Sequence, residues 1–226
     1  DDPRVSVDVI DRPFKRLGYV PGGEYVFKDK HLFAKHFELP GRKDAPRIFI
    51  SQLILSEMSS FIRTIFREGL ERIPDEYYVD ENLVFSGSLF DHMSYSVYSK
   101  LREESEYAAW FYVFGFRANH FTVSVNSLKK YNTLEKVNQL LKDNGFLLNA
   151  VGGEIKGSKV EFLRQSSTMA DFTKICFKDG EYDIPCCYYE FAQRYELPDG
   201  KLFGGFVAGS ADKIFESTNY YERKTH

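Results

Sequence analysis

The sequence predicts an α+β protein built from two similar βαβββ units, each a strand and a helix followed by three further strands. Two observations predict this fold class: β-rich runs cluster in residues 1–55 and again after residue 114, and an amphipathic helical segment precedes three such runs in both places. Because the same order occurs twice, we interpret it as an internal structural repeat. Two such units typically join their sheets into a curved open barrel whose inner face holds a metal ion.

The first unit covers residues 1–55 and lacks its leading strand. Apolar residues at helical spacing in "DVIDRPFKRLG" predict a short helix that ends at Gly18. Three β-rich runs separated by glycines, charges and prolines follow: "GEYVFKD", "KHLFAKHFEL" and "PRIFISQLIL". We expect the leading strand to lie upstream of Asp1, in a chain that has been trimmed.

The second unit covers residues 114–202 and has the complete order. It begins with a strand over residues 116–126 and continues with a helix from Thr133 to Asn144. Its last three β-rich runs are "AVGGEIKG", "SKVEFLRQSSTMADFTKICF" and "IPCCYYEFAQRYEL". The sequence therefore predicts strand, helix, strand, strand, strand for this unit.

Two segments lie outside the units. Residues 56–113 are predicted to be a helical connector, because apolar residues recur every three or four positions and charges fall between them, as in "SEMSSFIRTIFREGLERI". Residues 203–226 form a tail that starts with a glycine pair and offers a short helix from Ala211 to Glu216.

The charge balance predicts a small partner. Lysine and arginine total 30 against 33 aspartate and glutamate, a formal net charge of −3, so no strong field attracts nucleic acid or an anionic membrane. No stretch approaches the roughly 20 apolar residues of a transmembrane helix, and the polar start "DDPRVSVD" lacks the apolar region of a signal peptide. We therefore expect a cytoplasmic protein. The oligomeric state is not predicted.

Two strands carry the candidate metal ligands. Side chains alternate along a strand, so His120 shares a polar face with Thr122, while Glu190 shares a face with Arg194 in the last strand. The first and last strands of a βαβββ unit lie side by side, which brings His120 and Glu190 together. Imidazole and carboxylate are two parts of the two-histidine, one-carboxylate set that holds non-haem Fe(II) with open positions for substrate and oxygen.

The remaining histidines do not supply the third ligand plainly: His31 and His36 lie in the first unit, His92 in the connector, and His226 at the terminus. The repeat places the third ligand on the missing first strand. Ordinary structural roles stay open, a hydrogen-bonded strand histidine for His120 and a salt bridge with Arg194 for Glu190.

Several segments carry a family resemblance: "FRANHFTVSVN", "LRQSSTMADF", "YYEFAQRYELPDGKLFGGFV", "ADKIFEST", and in the first unit "RPFKRLGYVPGGEYVFKDKHLFAKHFE" with "PRIFISQL". Together they resemble the 2-oxoadipate dioxygenase/decarboxylase family, which has a vicinal-oxygen-chelate, glyoxalase-like fold. The resemblance implies two glyoxalase-like modules and a His, His, Glu triad for Fe(II). His120 in "NHFT" and Glu190 in "YYEF" match two members of that triad.

The sequence also departs from the family. The family's first histidine lies in an Asp-His motif on the opening strand, followed four residues later by an arginine that binds the substrate, and neither is present. Asp91 and His92 repeat the dipeptide in a helical context, so we do not give them the role. The chain is either trimmed or a member that has lost iron and activity. We favour trimming because the sequence begins within a repeat unit.

The activity implied by the resemblance is oxygen-dependent decarboxylation of a 2-oxo dicarboxylic acid, 2-oxoadipate, to 2-hydroxyglutarate with loss of CO2. The implied partners are this small acid and O2, and the implied cofactor is Fe(II). Histidine and glutamate ligands also suit zinc, manganese or nickel.

Further polar residues are candidates for substrate binding. Arg194 is expected to bind a substrate carboxylate by a two-point contact, or to pair with Glu190. Gln165 and Ser167 lie in a polar run that either lines the pocket or hydrogen-bonds within the sheet. Ser210, near a helix start, either directs amide donors at an anion or caps the helix, and we favour the cap.

Two other functions stay open at this point. One is a metal-free or zinc-bound glyoxalase-like protein that sequesters a small acid. The other is a glyoxalase-type isomerase or hydrolase, which would need a fourth protein ligand, with His36 as the residue to test. Bound iron together with oxygen consumption would separate the dioxygenase from both.

Overall fold

The computed structural model describes residues 1–42 and 44–218. The chain forms two compact units, the first comprising Asp1–Arg117 with Ile175–Tyr182 and the second comprising Ala118–Lys174 with the described residues from Asp183 onward. The mixed α+β class is confirmed by the elements described below. The joining of two modules into an open barrel, with boundaries after residues 55, 113 and 202, stays a prediction.

The first unit contains an antiparallel sheet of three strands in the order β1-β2-β3. Its strands correspond to the three predicted runs: β1 (Val20–Phe27), β2 (Leu32–Glu38) and β3 (Ile48–Leu53). Two short helices, α1 (Val7–Ile10) and α2 (Arg12–Arg16), precede them instead of the one predicted helix. The helix breaks because Pro13 has no N–H to donate, so α1 ends at Ile10 and α2 starts at Arg12, with Asp11 between them.

The helical connector is present as four α-helices: α3 (Ser60–Glu71), α4 (Asp75–Val79), α5 (Tyr95–Glu104) and α6 (Glu106–Phe114). Serine side chains cap two of them, since Ser59 accepts a hydrogen bond from the Ile62 N–H and Ser105 accepts one from the Ala108 N–H. No helix within the described ranges is long and apolar enough to cross a membrane.

The second unit contains the predicted strand, helix and three strands in one sheet, with a hairpin inserted before the last strand. Its elements are β4 (His120–Ser124), α7 (Leu134–Asp143), β5 (Lys156–Ser158), β6 (Leu163–Ser167), β9 (Tyr188–Arg194) and α8 (Ala208–Phe215). The two hairpin strands, β7 (Phe172–Phe177) and β8 (Gly180–Pro185), belong only in part to this unit, because Ile175–Tyr182 are part of the first unit. Four of these strands form a sheet in the order β4-β9-β6-β5, in which only the β4–β9 pair is parallel. The hairpin β7–β8 forms a separate two-stranded sheet.

The prediction of one continuous strand over residues 158–177 is wrong. The chain leaves the sheet after β6, because the next backbone N–H groups bond elsewhere: Met169 donates to the Leu147 carbonyl at 2.8 Å and Ala170 to the Ser217 carbonyl at 2.9 Å. Strand β7 then starts at Phe172. The tail helix α8 is confirmed, although it starts three residues before the predicted Ala211.

The core of the second unit lies between α7 and the sheet. Val125, Leu134, Val137 and Phe191 form a buried cluster, with Val123 packed against it. Phe121 shares the strand face of Val123 but does not join this core, since its side chain is 66% exposed. Phe121 lies on β4, at the edge of the sheet and outside the cluster beneath α7.

Three buried side chains, Asn149, Ser167 and Ser217, attach the chain after α8 to the sheet. The Asn149 amide donates to the Lys213 carbonyl at 2.8 Å and to the Ser217 hydroxyl at 3.0 Å. The Ser217 and Ser167 hydroxyls lie 2.8 Å apart. We call these three residues the C-terminal clasp. Their buried polar groups are satisfied by hydrogen bonds to one another and to the end of α8, and these bonds fix the end of α8 against β6.

Lys156 on β5 predicts a pH dependence of stability. It is 2% exposed and donates to the Asn149 carbonyl, and burial lowers the pKa of its ammonium from 10.5 to about 8. Between these two pH values the unfolded chain binds more protons than the folded one, so Lys156 makes stability rise with pH. Relative to a Lys156→Met variant, we expect the free energy of unfolding to increase by roughly 2–3 kcal/mol from pH 7 to pH 10.5.

Urea unfolding at a series of pH values measures this difference. The exposed residue Lys129 provides the control, and the Lys129→Met variant is expected to run parallel to the original protein over the same range. If the Lys156→Met curve also ran parallel, a buried ammonium with a lowered pKa would be contradicted.

Candidate metal centre

The sheet of the second unit brings His120 and Glu190 together, as the sequence predicts. Strand β4 pairs in parallel with β9, so that His120 lies opposite Tyr188 and Thr122 opposite Glu190. Because side chains two residues apart share a face, His120 and Glu190 project from the same side of neighbouring strands. The Nε2 atom of His120 lies 3.1 Å from Oε2 of Glu190.

Glu190 is a buried carboxylate that stays ionised. Its side chain is 6% exposed, Oε2 faces His120, and Oε1 accepts a hydrogen bond from the Gln165 amide. Burial raises the pKa of Glu190, but the hydrogen bond and charge of His120, with further hydrogen bonds from Gln165 and Thr122, outweigh burial and hold the pKa below its usual value. A negative charge is therefore available at this position at neutral pH.

The imidazole of His120 is held by stacking. Its ring lies 4.7 Å from the Tyr188 ring, centroid to centroid, at an interplanar angle of 14°. The Tyr188 phenol is buried, and burial, with a contribution from the negative charge of Glu190, raises its pKa well above the usual value. It therefore stays protonated. Within the described ranges, neither Nδ1 of His120 nor the Tyr188 hydroxyl has a hydrogen-bond partner.

The donor pair fits a metal ion as two of its ligands. Two neighbouring ligands with bonds of about 2.1 Å at right angles lie about 3 Å apart, close to the 3.1 Å between His120 Nε2 and Glu190 Oε2. The described part of the chain contains no group of three or more histidine, cysteine, aspartate or glutamate side chains arranged for a metal ion. The residues described here thus supply two ligands of the predicted set of three.

The other histidines have local partners in the first unit. His31 contacts Glu57 at 2.8 Å, and His36 is buried and hydrogen-bonded to the Tyr25 hydroxyl at 2.9 Å. His92 is exposed beside Asp91. His226 lies outside the described residues.

Arg194 holds a loop against the end of β9. Its Nη1 donates to the carbonyls of Phe203 at 3.0 Å and Gly205 at 2.6 Å, and its guanidinium lies 5.3 Å from the centroid of the Phe206 ring. The predicted sharing of a face with Glu190 follows from the register of β9, four residues along the strand. The loop around residues 203–206 is therefore attached to the strand that carries Glu190.

The other predicted substrate-binding residues have different surroundings. Gln165 contacts Glu190, whereas Ser167 lies opposite Glu190 in the sheet but bonds to Ser217 within the clasp. The expectation that Ser210 caps the tail helix is wrong, because α8 already begins at Ala208 and Val207 occupies the capping position. The Ser210 side chain lies outside the described part of the structure.

Two contacts were not predicted: the amide of Gln165 on Glu190, and the stacking of Tyr188 on His120. Alternation along β9 already places Tyr188 on the face of Glu190. The missing information was the pairing register between strands, which puts Tyr188 opposite His120 and Gln165 opposite Ala192. Neither strand's own pattern contains that register.

Comparison with known proteins supplies the family. The family model for 2-oxoadipate dioxygenase/decarboxylase matches residues 65–203 of this chain. The chloroplastic 2-oxoadipate dioxygenase/decarboxylase of Arabidopsis thaliana is 36% identical over 237 residues, which cover 94% of this chain and 64% of the relative. The chain thus spans slightly less than two thirds of that protein's length.

Two solved structures are similar. Hydroxyglutarate synthase from Oryza sativa, determined in complex with 2-oxoadipate, has a TM-score of 0.87 and 33% identity, covering 96% of this chain and 77% of that chain. A glyoxalase superfamily protein from Ralstonia eutropha JMP134 has a TM-score of 0.69 and 17% identity, covering 86% and 67%, and shows likeness of fold alone. From the matched residues and the identities, the chain belongs to the 2-oxoadipate dioxygenase/decarboxylase family.

Proposed function

We propose that this chain carries two iron ligands, His120 and Glu190, of an Fe(II)-dependent dioxygenase/decarboxylase that converts 2-oxoadipate to 2-hydroxyglutarate. The observation that carries the proposal is the 3.1 Å approach of the half-buried His120 Nε2 to the buried Glu190 Oε2 on one sheet face. The substrate is taken from the relatives, one named for 2-oxoadipate and one solved with it bound. The family resemblance implies a third ligand, and within the described ranges no third histidine, cysteine, aspartate or glutamate joins His120 and Glu190.

The overall reaction consumes one O2 and one 2-oxoadipate and releases one CO2 and one 2-hydroxyglutarate. When bound, Fe(II) supplies adjacent coordination positions for the 2-oxo acid and O2 and the electrons that activate O2. Glu190 would contribute a carboxylate oxygen and His120 a ring nitrogen, and the Tyr188 ring stacks on the imidazole and orients it. The burial of Glu190 and Tyr188 keeps bulk water from the carboxylate.

Product and gas stoichiometry tests this function. Protein reconstituted anaerobically with Fe(II) is mixed with 2-oxoadipate and O2, and O2 uptake, CO2 and 2-hydroxyglutarate are measured together. We expect a ratio of one to one to one. Product formed without O2 uptake would indicate an isomerase or hydrolase, and binding of 2-oxoadipate without turnover would indicate a sequestering protein. Either result would contradict the proposal.

We also propose, as the sequence predicts, that this chain is located in the cytoplasm.

Arg194 is proposed to bind the carboxylate of the substrate, because it shares a strand face with Glu190 and is the cation on that face of β9. We expect Arg194→Met to raise KM for 2-oxoadipate about tenfold or more, the loss of a charge-assisted hydrogen bond of roughly 1.5–3 kcal/mol, without changing the iron content. Steady-state kinetics and metal analysis measure both quantities.

The control for Arg194 is Arg164 on β6, which pairs with Glu135 at 2.6 Å. The Arg164→Met variant is expected to keep the KM of the original protein. If Arg194→Met also kept it and only the loop at residues 203–206 became more sensitive to protease, Arg194 would be a loop anchor and not a substrate ligand.

A further inference from the structure

We propose that Gln165 is a positioning residue that restricts Glu190 to binding the metal ion through one oxygen, Oε2. The inference rests on the proposed function. Strands β6 and β9 are antiparallel, with Gln165 opposite Ala192 and Ser167 opposite Glu190. Gln165 therefore occupies the same sheet face as Glu190, two pairs further along the ladder, and this diagonal position places its amide within reach of the carboxylate.

The two oxygens of Glu190 have different partners. Oε1 accepts a hydrogen bond from the Gln165 Nε2, while Oε2 lies 3.1 Å from His120 Nε2. A hydrogen bond to a carboxylate is stronger than one between neutral groups. With Oε1 engaged by the amide, Oε2 is the oxygen directed to the histidine and hence to the ion that His120 would bind.

The amide orientation follows from charge. Gln165 and Glu190 are both buried, so bulk water does not compete for their contact. If the amide were reversed, the Gln165 carbonyl oxygen would face a carboxylate oxygen, two acceptors with no proton between them. The observed orientation leaves the Gln165 Oε1 buried and without a hydrogen-bond partner in the described part of the chain. The contact with Glu190 therefore decides how Gln165 is oriented.

One-point binding matters for the number of coordination positions. In the proposed reaction the ion would need positions for the protein ligands and open positions for 2-oxoadipate and O2. If Glu190 bound through both oxygens, it would occupy a position that the substrate or O2 requires. Gln165 thus preserves the open position by holding Oε1 away.

Co(II) binding tests this role without relying on turnover. Co(II) is titrated into the original protein and into Gln165→Met, which keeps the side-chain length and removes the amide, and both affinity and visible absorption are recorded. We expect Gln165→Met to bind Co(II) about 10–100-fold more weakly and to show the lower absorption of a higher coordination number. Gln165→Asn, which withdraws the amide by one carbon, is expected to behave in the same way.

The matched control is Gln193→Met. Gln193 lies in the adjacent strand β9 on the opposite face, where its Oε1 accepts from the Leu134 N–H at 3.3 Å. This variant is expected to keep the original Co(II) affinity and spectrum even if its stability falls. A general loss of packing would instead affect both glutamine positions.

The outcomes separate this inference from the proposed function. If the original protein binds Co(II), Glu190→Ala does not, and both Gln165 variants match the original in affinity and spectrum, the role of Gln165 is overturned and the metal centre stands. If the original protein binds no Co(II), the metal centre itself is contradicted, and the role of Gln165 falls with it.

Discussion

Replacing Glu190 by alanine is expected to lower the affinity for Fe(II) at least 100-fold and to abolish 2-oxoadipate-dependent O2 uptake. The carboxylate is one of two metal-competent groups on its sheet face, and its pKa is held below the usual value by His120, so it is charged before the ion arrives. The loss of a metal ligand is expected to lower the metal affinity at least as much as the loss of a hydrogen bond to a ligand, which typically lowers it 10–100-fold. Metal analysis after anaerobic loading measures the first effect and an oxygen electrode the second.

The matched control is Glu154→Ala in the same unit. Glu154 is a partly exposed carboxylate that pairs with Lys142 at 3.1 Å and lies outside the sheet face of Glu190. It is expected to keep the original iron content and O2 uptake. Iron retained at one per chain in Glu190→Ala would show that the ion binds elsewhere.

Replacing Asn149 by alanine is expected to destabilise the protein by about 2–4 kcal/mol, since several buried hydrogen-bonding groups lose their partner at once. Asn149 is fully buried, and its amide donates to Lys213 and Ser217 while its carbonyl oxygen accepts from the Val151 N–H at 3.0 Å. Urea unfolding measures the change. We also expect the end of α8 to exchange its amide protons faster.

Asn144→Ala provides the comparison. Asn144 is an exposed asparagine at the end of α7 whose amide donates to the Leu140 carbonyl at 2.8 Å. Water can replace that contact, so a cost below about 1 kcal/mol is expected. Equal costs at the two positions would contradict the C-terminal clasp as a buried, mutually satisfied network.

The convergence of His120 and Glu190 could be predicted because it depends on two regular features. Alternation along each strand gives the face, and the order of a βαβββ unit makes its first and last strands neighbours. The helix from Leu134 to Asp143 was equally predictable, since Thr133 caps its start and Asn144 ends it. Each of these signals lies within one local segment.

The features that could not be predicted depend on pairing between distant segments. The end of β6 could not be predicted, because Met169 and Ala170 are residue types that occur in strands. Their backbone N–H groups instead donate to the carbonyls of Leu147 and Ser217, which are distant in the sequence. The contact of Gln165 with Glu190 could not be predicted either, because it depends on the register in which β6 and β9 pair. A shift of one residue would turn Gln165 to the other face.

The location of iron in crystals is the most direct test of the metal centre. Crystals grown anaerobically with Fe(II) would be measured with X-rays on both sides of the iron absorption edge. We expect one anomalous peak per chain, about 2.0–2.2 Å from both His120 Nε2 and Glu190 Oε2. A peak bound to other side chains, or no peak in crystals shown to contain the loaded protein, would contradict the proposal that His120 and Glu190 together hold the iron.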